Sequence, residues 1–220
     1  MFREIEILDA AAVAELQRIA ASAPFVDGRI SNPHNNAKQN LQLHDAAAGK
    51  RSADIVLKAL TASEDFRNFT FPASVAPPLL TRYTPGMRYG AHADAAYLQL
   101  ANGVLRSDIS CTVFLSDPAT YEGGALRITL GTRDMHFRCA PGTAIVYPSD
   151  TLHEVEPVTK GERLVAITFI QSRIKDIFQR QLLYELNEIA ALEGLGMSQE
   201  NFSRLQLVQQ KLYRHWGEKP

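Results

Sequence analysis

Three residues from two distant parts of the chain have types suited to holding one divalent cation: His92, Asp94 and His153. His92 and Asp94 stand two apart in Tyr89-Gly90-Ala91-His92-Ala93-Asp94. On an extended strand such positions share a face, so an imidazole nitrogen and a carboxylate oxygen can converge. Alone, a His-x-Asp pair describes two solvated polar residues near a turn equally well. His153, within Tyr147-Pro148-Ser149-Asp150-Thr151-Leu152-His153-Glu154, offers a third donor.

Two histidines and one carboxylate occupy one face of a metal and leave the opposite positions open, as in non-haem Fe(II) sites. Mixed nitrogen and oxygen donors suit ferrous iron, whereas Mg²⁺ and Ca²⁺ favour oxygen alone. Zinc accepts the same donors and stays open as an alternative. Arg163 opens the apolar run Leu164–Ile170. A guanidinium at the start of a buried strand is costly to desolvate unless it meets an anion. Taken alone, a structural salt bridge to Glu154 or Glu156 explains it. Beside a metal with open positions, a keto-dicarboxylate explains it better. One carboxylate and the keto oxygen would chelate the metal, and the distal carboxylate would meet the planar fork of Arg163.

These residues need a scaffold, and the hydrophobic pattern changes period to supply one. Residues 1–77 are expected to form a mainly helical support region. Asp9 is a plausible N-cap for a helix with Val13, Leu16, Ile19 and Ala20 on one face, ended by Pro24. A second helix is expected from about Lys38 to Leu60, interrupted or split at Gly49. The stretch Thr70-Phe71-Pro72-Ala73-Ser74-Val75-Ala76-Pro77-Pro78 reads as a connector. Residues 78–173 are expected to carry the chemistry. Leu126, Ile128 and Leu130 alternate with Arg127 and Thr129, and Ala144–Tyr147 and Leu164–Ile170 are apolar strand candidates. Frequent Gly and Pro turns separate them, which argues for a sandwich or barrel and against a parallel α/β sheet. Residues 174–220 return to helix, with Ile174, Ile177, Phe178, Leu182, Leu186 and Ile189 on a stripe. Ser198 caps a last helix carrying Phe202, Leu205, Val208 and Leu212. That stripe fits packing on the barrel or homo-oligomer formation through the C-terminal helices.

Lysine plus arginine number 23 against 24 acidic residues in 220. This balance excludes a polyanion binder held by net charge, so no nucleic-acid partner is expected. No apolar run approaches a membrane span. Glu4, Glu6 and Asp9 stand where a signal peptide wants basic residues followed by an apolar run. The two cysteines, Cys111 and Cys139, form no CxxC or disulfide framework and read as small buried residues. A cytoplasmic location is expected.

His92-Ala93-Asp94, His153 and Arg163 together resemble the Fe(II)- and 2-oxoglutarate-dependent dioxygenases. The run Arg82-Tyr83-Thr84-Pro85-Gly86-Met87-Arg88-Tyr89-Gly90-Ala91-His92-Ala93-Asp94 is similar to the Tyr-x-x-Gly-x-x-Tyr-x-x-His-x-Asp pattern of the prolyl 4-hydroxylase superfamily. Tyr121-Glu122-Gly123-Gly124, Pro141-Gly142-Thr143-Ala144, Gly161-Glu162-Arg163 and Ile170-Gln171-Ser172-Arg173 extend the likeness over nearly the whole chain, to the bacterial PKHD-type hydroxylases. The resemblance implies a mainly β fold with α additions. Its core would be a double-stranded β-helix (jelly roll) flanked by N-terminal helices and a C-terminal helical appendage. It implies Fe(2+), 2-oxoglutarate as co-substrate, O2, and L-ascorbate to restore ferrous iron. Hydroxylation of a small-molecule or peptidyl substrate would release succinate and CO2, with no catalytic side chain beyond the metal ligands. An association with iron uptake is implied as well. Many relatives carry Ser or Thr two residues after the arginine, and here that position is Val165. Tyr83 is the family-matched candidate for the missing co-substrate contact, with Tyr89 and Tyr97 as weaker pocket candidates. A non-catalytic metal and 2-oxoglutarate sensor on the same fold is the competing reading, and a zinc hydrolase a third that leaves Arg163 unexplained.

Overall fold

The computed structural model describes residues 2–31 and 35–218. Helix α1 (Ala10–Ser22) begins where the Asp9 carboxylate accepts the Ala12 N–H at 2.8 Å, which satisfies one of the orphaned first-turn donors. It buries Val13, Leu16, Ile19 and Ala20. It stops at Ala23, whose extended backbone is the conformation favoured before a proline.

The second helix starts later than the sequence suggests. Lys38–Gln39 and Leu41–Leu43 are short strands, and α2 (Ala46–Ala62) begins from an Asp45 cap. Long-range pairing decides this. Leu41–Leu43 has a strand partner on each side, Phe25–Asp27 and Leu79–Tyr83, and helix propensity over so short a segment is a weak competitor. Gly49 lies inside α2 without splitting it; a glycine there costs about 1 kcal/mol relative to alanine, too little to break a packed helix. A short α3 (Glu64–Thr70) follows. The proline-rich connector also needs correction, because Pro72–Val75 is a strand paired with the far end of Arg163–Ser172. Pro72 is its first residue, where a missing N–H is tolerated.

Among the described residues, two antiparallel sheets dominate. The larger runs in the order Arg3–Glu6, Thr143–Pro148, Ile109–Phe114, Arg163–Ser172, Leu79–Tyr83, Leu41–Leu43, Phe25–Asp27. The smaller runs Arg133–Phe137, Leu126–Leu130, His153–Val155, Arg88–His92, Lys38–Gln39. They face each other as a jelly roll. The larger sheet is covered on both sides. Leu164, Ala166 and Ile170 pack with Leu16, Val56, Leu60 and Phe66 of the helical layer. Val165 packs instead with Phe114, Ile145 and the smaller sheet's Leu126 and Ile128. Double burial explains why Ala144–Tyr147 and Leu164–Ile170 are continuous apolar runs, while Leu126–Leu130, wet on one face, alternates. The same alternation puts Arg163 on the Val165 face, toward the smaller sheet.

Helices α4 (Ile177–Glu193) and α5 (Gln199–Trp216) start from Asp176 and Ser198 caps. Helix α4 docks through Leu183 and Tyr184, the latter edge-on to Phe69 with ring centroids 5.3 Å apart. Helix α5 reaches the body through half-buried Leu212, Tyr213 and Trp216. No described helix is long and apolar enough to cross a membrane.

Candidate active site

His92 ends the strand Arg88–His92, and His153 opens its antiparallel neighbour His153–Val155 directly opposite. Pairing across two adjacent strands brings the ring centroids to 4.3 Å. Asp94 does not continue the strand. It lies just past its end, where its N–H donates to the Ser149 carbonyl at 3.1 Å. Nε2 of His92 is 3.8 Å from Asp94 Oδ1, and Nε2 of His153 is 3.6 Å from Asp94 Oδ2. One donor atom from each residue lies within 4.8 Å of the others, a set that could hold a metal ion.

The protein orients all three groups. Nδ1 of His92 donates to the Gly90 carbonyl at 2.8 Å, and Nδ1 of His153 to the Thr151 carbonyl at 2.9 Å. A carbonyl only accepts, so each Nδ1 carries the proton and each Nε2 presents a lone pair to the cavity. Burial, followed by the neighbouring His153, holds the His92 pKa below the usual histidine range, which favours the neutral form a ligand needs. Tyr89 stacks on His92 with centroids 3.7 Å apart, and Tyr147 stands edge-on to His153 at 5.0 Å. Asp94 Oδ2 accepts from Ser110 Oγ at 2.6 Å. Ser110 and Ser149 share a 2.8 Å bond, and Ser107 donates to Ser149 at 2.8 Å. Three buried hydroxyls thus stand behind one carboxylate.

Across the cavity, on the larger sheet, Arg163 is only 1% exposed. Its Nε, Nη1 and Nη2 have no hydrogen-bond partner among the described residues. Its flanks are rings: Cζ lies 5.1 Å from the Tyr83 centroid and 5.4 Å from that of Phe114. The salt-bridge reading fails, because Glu154 pairs with Arg127 at 2.9 Å and Glu156 with His136 at 2.9 Å. Burial lowers the Arg163 pKa, yet an arginine side chain stays protonated in proteins. An unpaired buried cation costs several kcal/mol, so an anion entering the cavity would find an unmet donor here.

Tyr83 faces Arg163 in register across the sheet and is 3% exposed. Its oxygen accepts from Asn40 Nδ2 at 2.9 Å, leaving the hydroxyl hydrogen to be donated. Burial above all pushes its pKa up, so it remains a neutral donor. Tyr89 lines the same cavity. Tyr97 does not: it sits 62% exposed on the hairpin strand Tyr97–Leu100. Val165 is buried and apolar, as its sequence position implied. Two other arginines, Arg82 and Arg106, are occupied elsewhere. Arg82 lies over Phe25 at 4.0 Å and pairs with Glu162, and Arg106 pairs with Asp108 and Glu218.

Ser110, Ser149 and Tyr147 carry no motif signal, and only their contacts bring them to the site. Lys38 and Asn40, from the polar stretch 35–40, both line the cavity.

The profile of the 2OG-Fe(II) oxygenase superfamily matches residues 78–171. A PKHD-type hydroxylase of Sphingopyxis alaskensis is 63% identical over 98% of this chain and 99% of its own. One from Stenotrophomonas maltophilia is 40% identical over 97% of each. Among solved structures, a Pseudomonas putida prolyl-4-hydroxylase aligns with TM-score 0.56 at 19% identity, covering 78% of this chain and 92% of that one. A Trichoplax adhaerens prolyl hydroxylase, solved with a peptide fragment of the hypoxia inducible factor oxygen degradation domain, aligns with TM-score 0.61 at 13% identity, covering 82% and 86%. At such identities these two structures speak for the fold. The profile and the full-length relatives define the class, an oxygenase that uses Fe(II) and 2-oxoglutarate. Within it, the chain belongs to the PKHD-type hydroxylases.

Proposed function

We propose that His92, Asp94 and His153 hold Fe(II), that Arg163 and the Tyr83 hydroxyl hold the distal carboxylate of 2-oxoglutarate, and that the protein hydroxylates a small-molecule or peptidyl substrate. The observation that carries this is the pairing of two inward-facing Nε2 lone pairs and a carboxylate with a buried guanidinium lacking any partner among the described residues. The donor set suits ferrous iron, and the orphan guanidinium suits a carboxylate. Bound together, the metal and co-substrate supply the oxidising chemistry: 2-oxoglutarate and O2 become succinate and CO2, one oxygen atom going to succinate and the other to a substrate C–H bond.

The chain's own residues have other tasks. The carbonyls of Gly90 and Thr151 hold the imidazole tautomers, and Ser110 holds the Asp94 carboxylate. Tyr89 and Tyr147 wall the histidines and limit water. Arg163 and Tyr83 set the orientation of the co-substrate. No side chain acts as a general base. In this division of labour, residues 78–173 carry the metal and arginine groups, while 1–77 and 174–220 support them. Ascorbate completes the cofactor set by restoring ferrous iron after turnover without substrate. Free thiols at Cys111 and Cys139 support a reducing, cytoplasmic compartment. Exposed Phe178, Leu182, Ile189 and Leu192 on α4 support self-association through the tail.

The test is release of succinate from 2-oxoglutarate by the purified protein under O2, without added substrate. Activity should vanish on chelation and return with Fe(II) but not with Zn(II). Tight 2-oxoglutarate binding with no succinate formed would instead leave a binding module.

A further inference from the structure

Lys38 is a charged residue in the cavity that the chemistry above does not use. It stands on the edge strand Lys38–Gln39, opposite Tyr89, and is 5% exposed. It lines the same cavity as His92, Asp94 and Arg163. Its ammonium lies 5.5 Å from the centroid of the Tyr89 ring, whose stacking partner is His92. The ammonium is therefore two ring contacts from the metal donors.

Its hydrogen-bond partner is neutral. Nζ donates to Ser31 Oγ at 2.7 Å. That hydroxyl also accepts from Gln42 Nε2 at 3.0 Å and donates to the Gly28 carbonyl at 3.1 Å. No ion pair joins Lys38 to an acidic side chain among the described residues, and the residues outside that description include no aspartate or glutamate. Burial lowers its pKa, while Asp94 and Asp27 act in the opposite sense from a distance.

The charge balance of the loaded site then becomes informative. Iron contributes two positive charges, and Arg163 and Lys38 one each. Asp94 and the two carboxylates of 2-oxoglutarate contribute three negative charges. One positive charge stays uncompensated, on the wall near the histidines. A buried ammonium with one neutral hydroxyl partner still lacks a counter-charge, and the co-substrate's carboxylates are already committed.

We infer that Lys38 is the anion-binding residue of the prime-substrate site, and that the substrate is a small molecule bearing a carboxylate or similar monoanion. The inference rests on the co-substrate reading given above. The anion meets Nζ beside the Tyr89 ring, and that contact turns a nearby C–H bond toward the donor set of His92, Asp94 and His153. Arg82 and Arg106 are held by structural partners, whereas Lys38 meets the anion from inside the cavity.

The test uses full-length protein loaded with Mn(II) and saturating 2-oxoglutarate. N-acetylglycine and its neutral counterpart N-acetylglycinamide are the probes, read by paramagnetic broadening of their NMR signals. The wild type should bind the carboxylate at least about tenfold more tightly than the amide. Lys38→Met should remove that difference and leave Mn(II) and 2-oxoglutarate affinity within about twofold. Lys38→Arg should keep the preference for the anion. Equal binding of both probes by the wild type would overturn the inference, as would an unchanged preference in Lys38→Met. So would a Lys38→Met protein that loses 2-oxoglutarate instead, since Lys38 would then serve the co-substrate. A wild type that binds neither Mn(II) nor 2-oxoglutarate would remove the underlying reading as well, and is distinguishable from all of these.

Discussion

The two walls of the cavity satisfy their polar groups in opposite ways. On the smaller sheet, both imidazole Nδ1 atoms have carbonyl acceptors, and Asp94 has a serine donor backed by two more hydroxyls. On the larger sheet, Arg163 is more deeply buried and has no hydrogen-bond partner among the described residues. Under the proposed function, the difference follows from what each wall would receive. A metal has no directional groups of its own to correct a misplaced ligand, so its donors must be aligned beforehand by the protein. A carboxylate brings its own acceptors, so an arginine meant for it must be kept free of competing ones. The first wall is preorganised by satisfaction and the second by deprivation.

Breaking the first wall at a donor should have the largest effect. His153→Ala removes one of the three proposed ligating groups, and succinate release is expected to fall to the level of protein-free controls. Unchanged turnover would take His153 out of the metal set. Breaking the second wall should separate binding from stability. Arg163→Met loses a two-pronged charged contact worth about 3 kcal/mol, so 2-oxoglutarate affinity should drop about 100-fold by calorimetry. The same variant removes an uncompensated buried charge. Its melting temperature without co-substrate should match or exceed the wild type. A large loss of stability would mean that Arg163 has a structural partner after all.

Smaller changes sharpen the contrast. Ser110→Ala leaves every proposed ligand in place and removes only the group that orients Asp94. Metal affinity should weaken about tenfold, the lower end for an outer-shell partner, with 2-oxoglutarate affinity at saturating metal little changed. Asn40→Ala frees the Tyr83 oxygen from its donor, and one neutral hydrogen bond of about 1 kcal/mol predicts roughly fivefold weaker 2-oxoglutarate binding. The smallest effect concerns the thiols. Burial pushes Cys111 and Cys139 up to about 12. The thiolate is the reactive form, so iodoacetamide at pH 8 should label the native protein far more slowly than the denatured chain. The linked stability is whole below the free-thiol pKa of about 8.5 and is lost as pH climbs toward the raised native value.

The strand core was largely legible because its signals are local. Turn residues bracket the apolar runs of residues 109–170, and their alternation or continuity reports one wet face or none. Helix α1 and the tail helices were legible for the same reason, through their caps and stripes. The stretch from Lys38 to Leu43 was not. Its few residues are strands only because Phe25–Asp27, Leu79–Tyr83 and Arg88–His92 lie beside them, and distant partners leave no local periodicity. Pro72–Val75 was missed for the same reason, since proline argues against a strand until its edge position is known.

By itself the sequence determined which chemistry was on offer: two imidazoles, a carboxylate and an arginine heading a buried run are functional groups, and functional groups are fixed by residue type. The tertiary structure decided the rest. It turned both Nε2 atoms inward, put a chain of serines behind Asp94, left Arg163 without an acceptor and exposed Tyr97 while burying Lys38. Those outcomes depend on cross-strand register and on what lies across the cavity. They are non-local quantities, which emerge only when segments far apart in the chain are packed against one another.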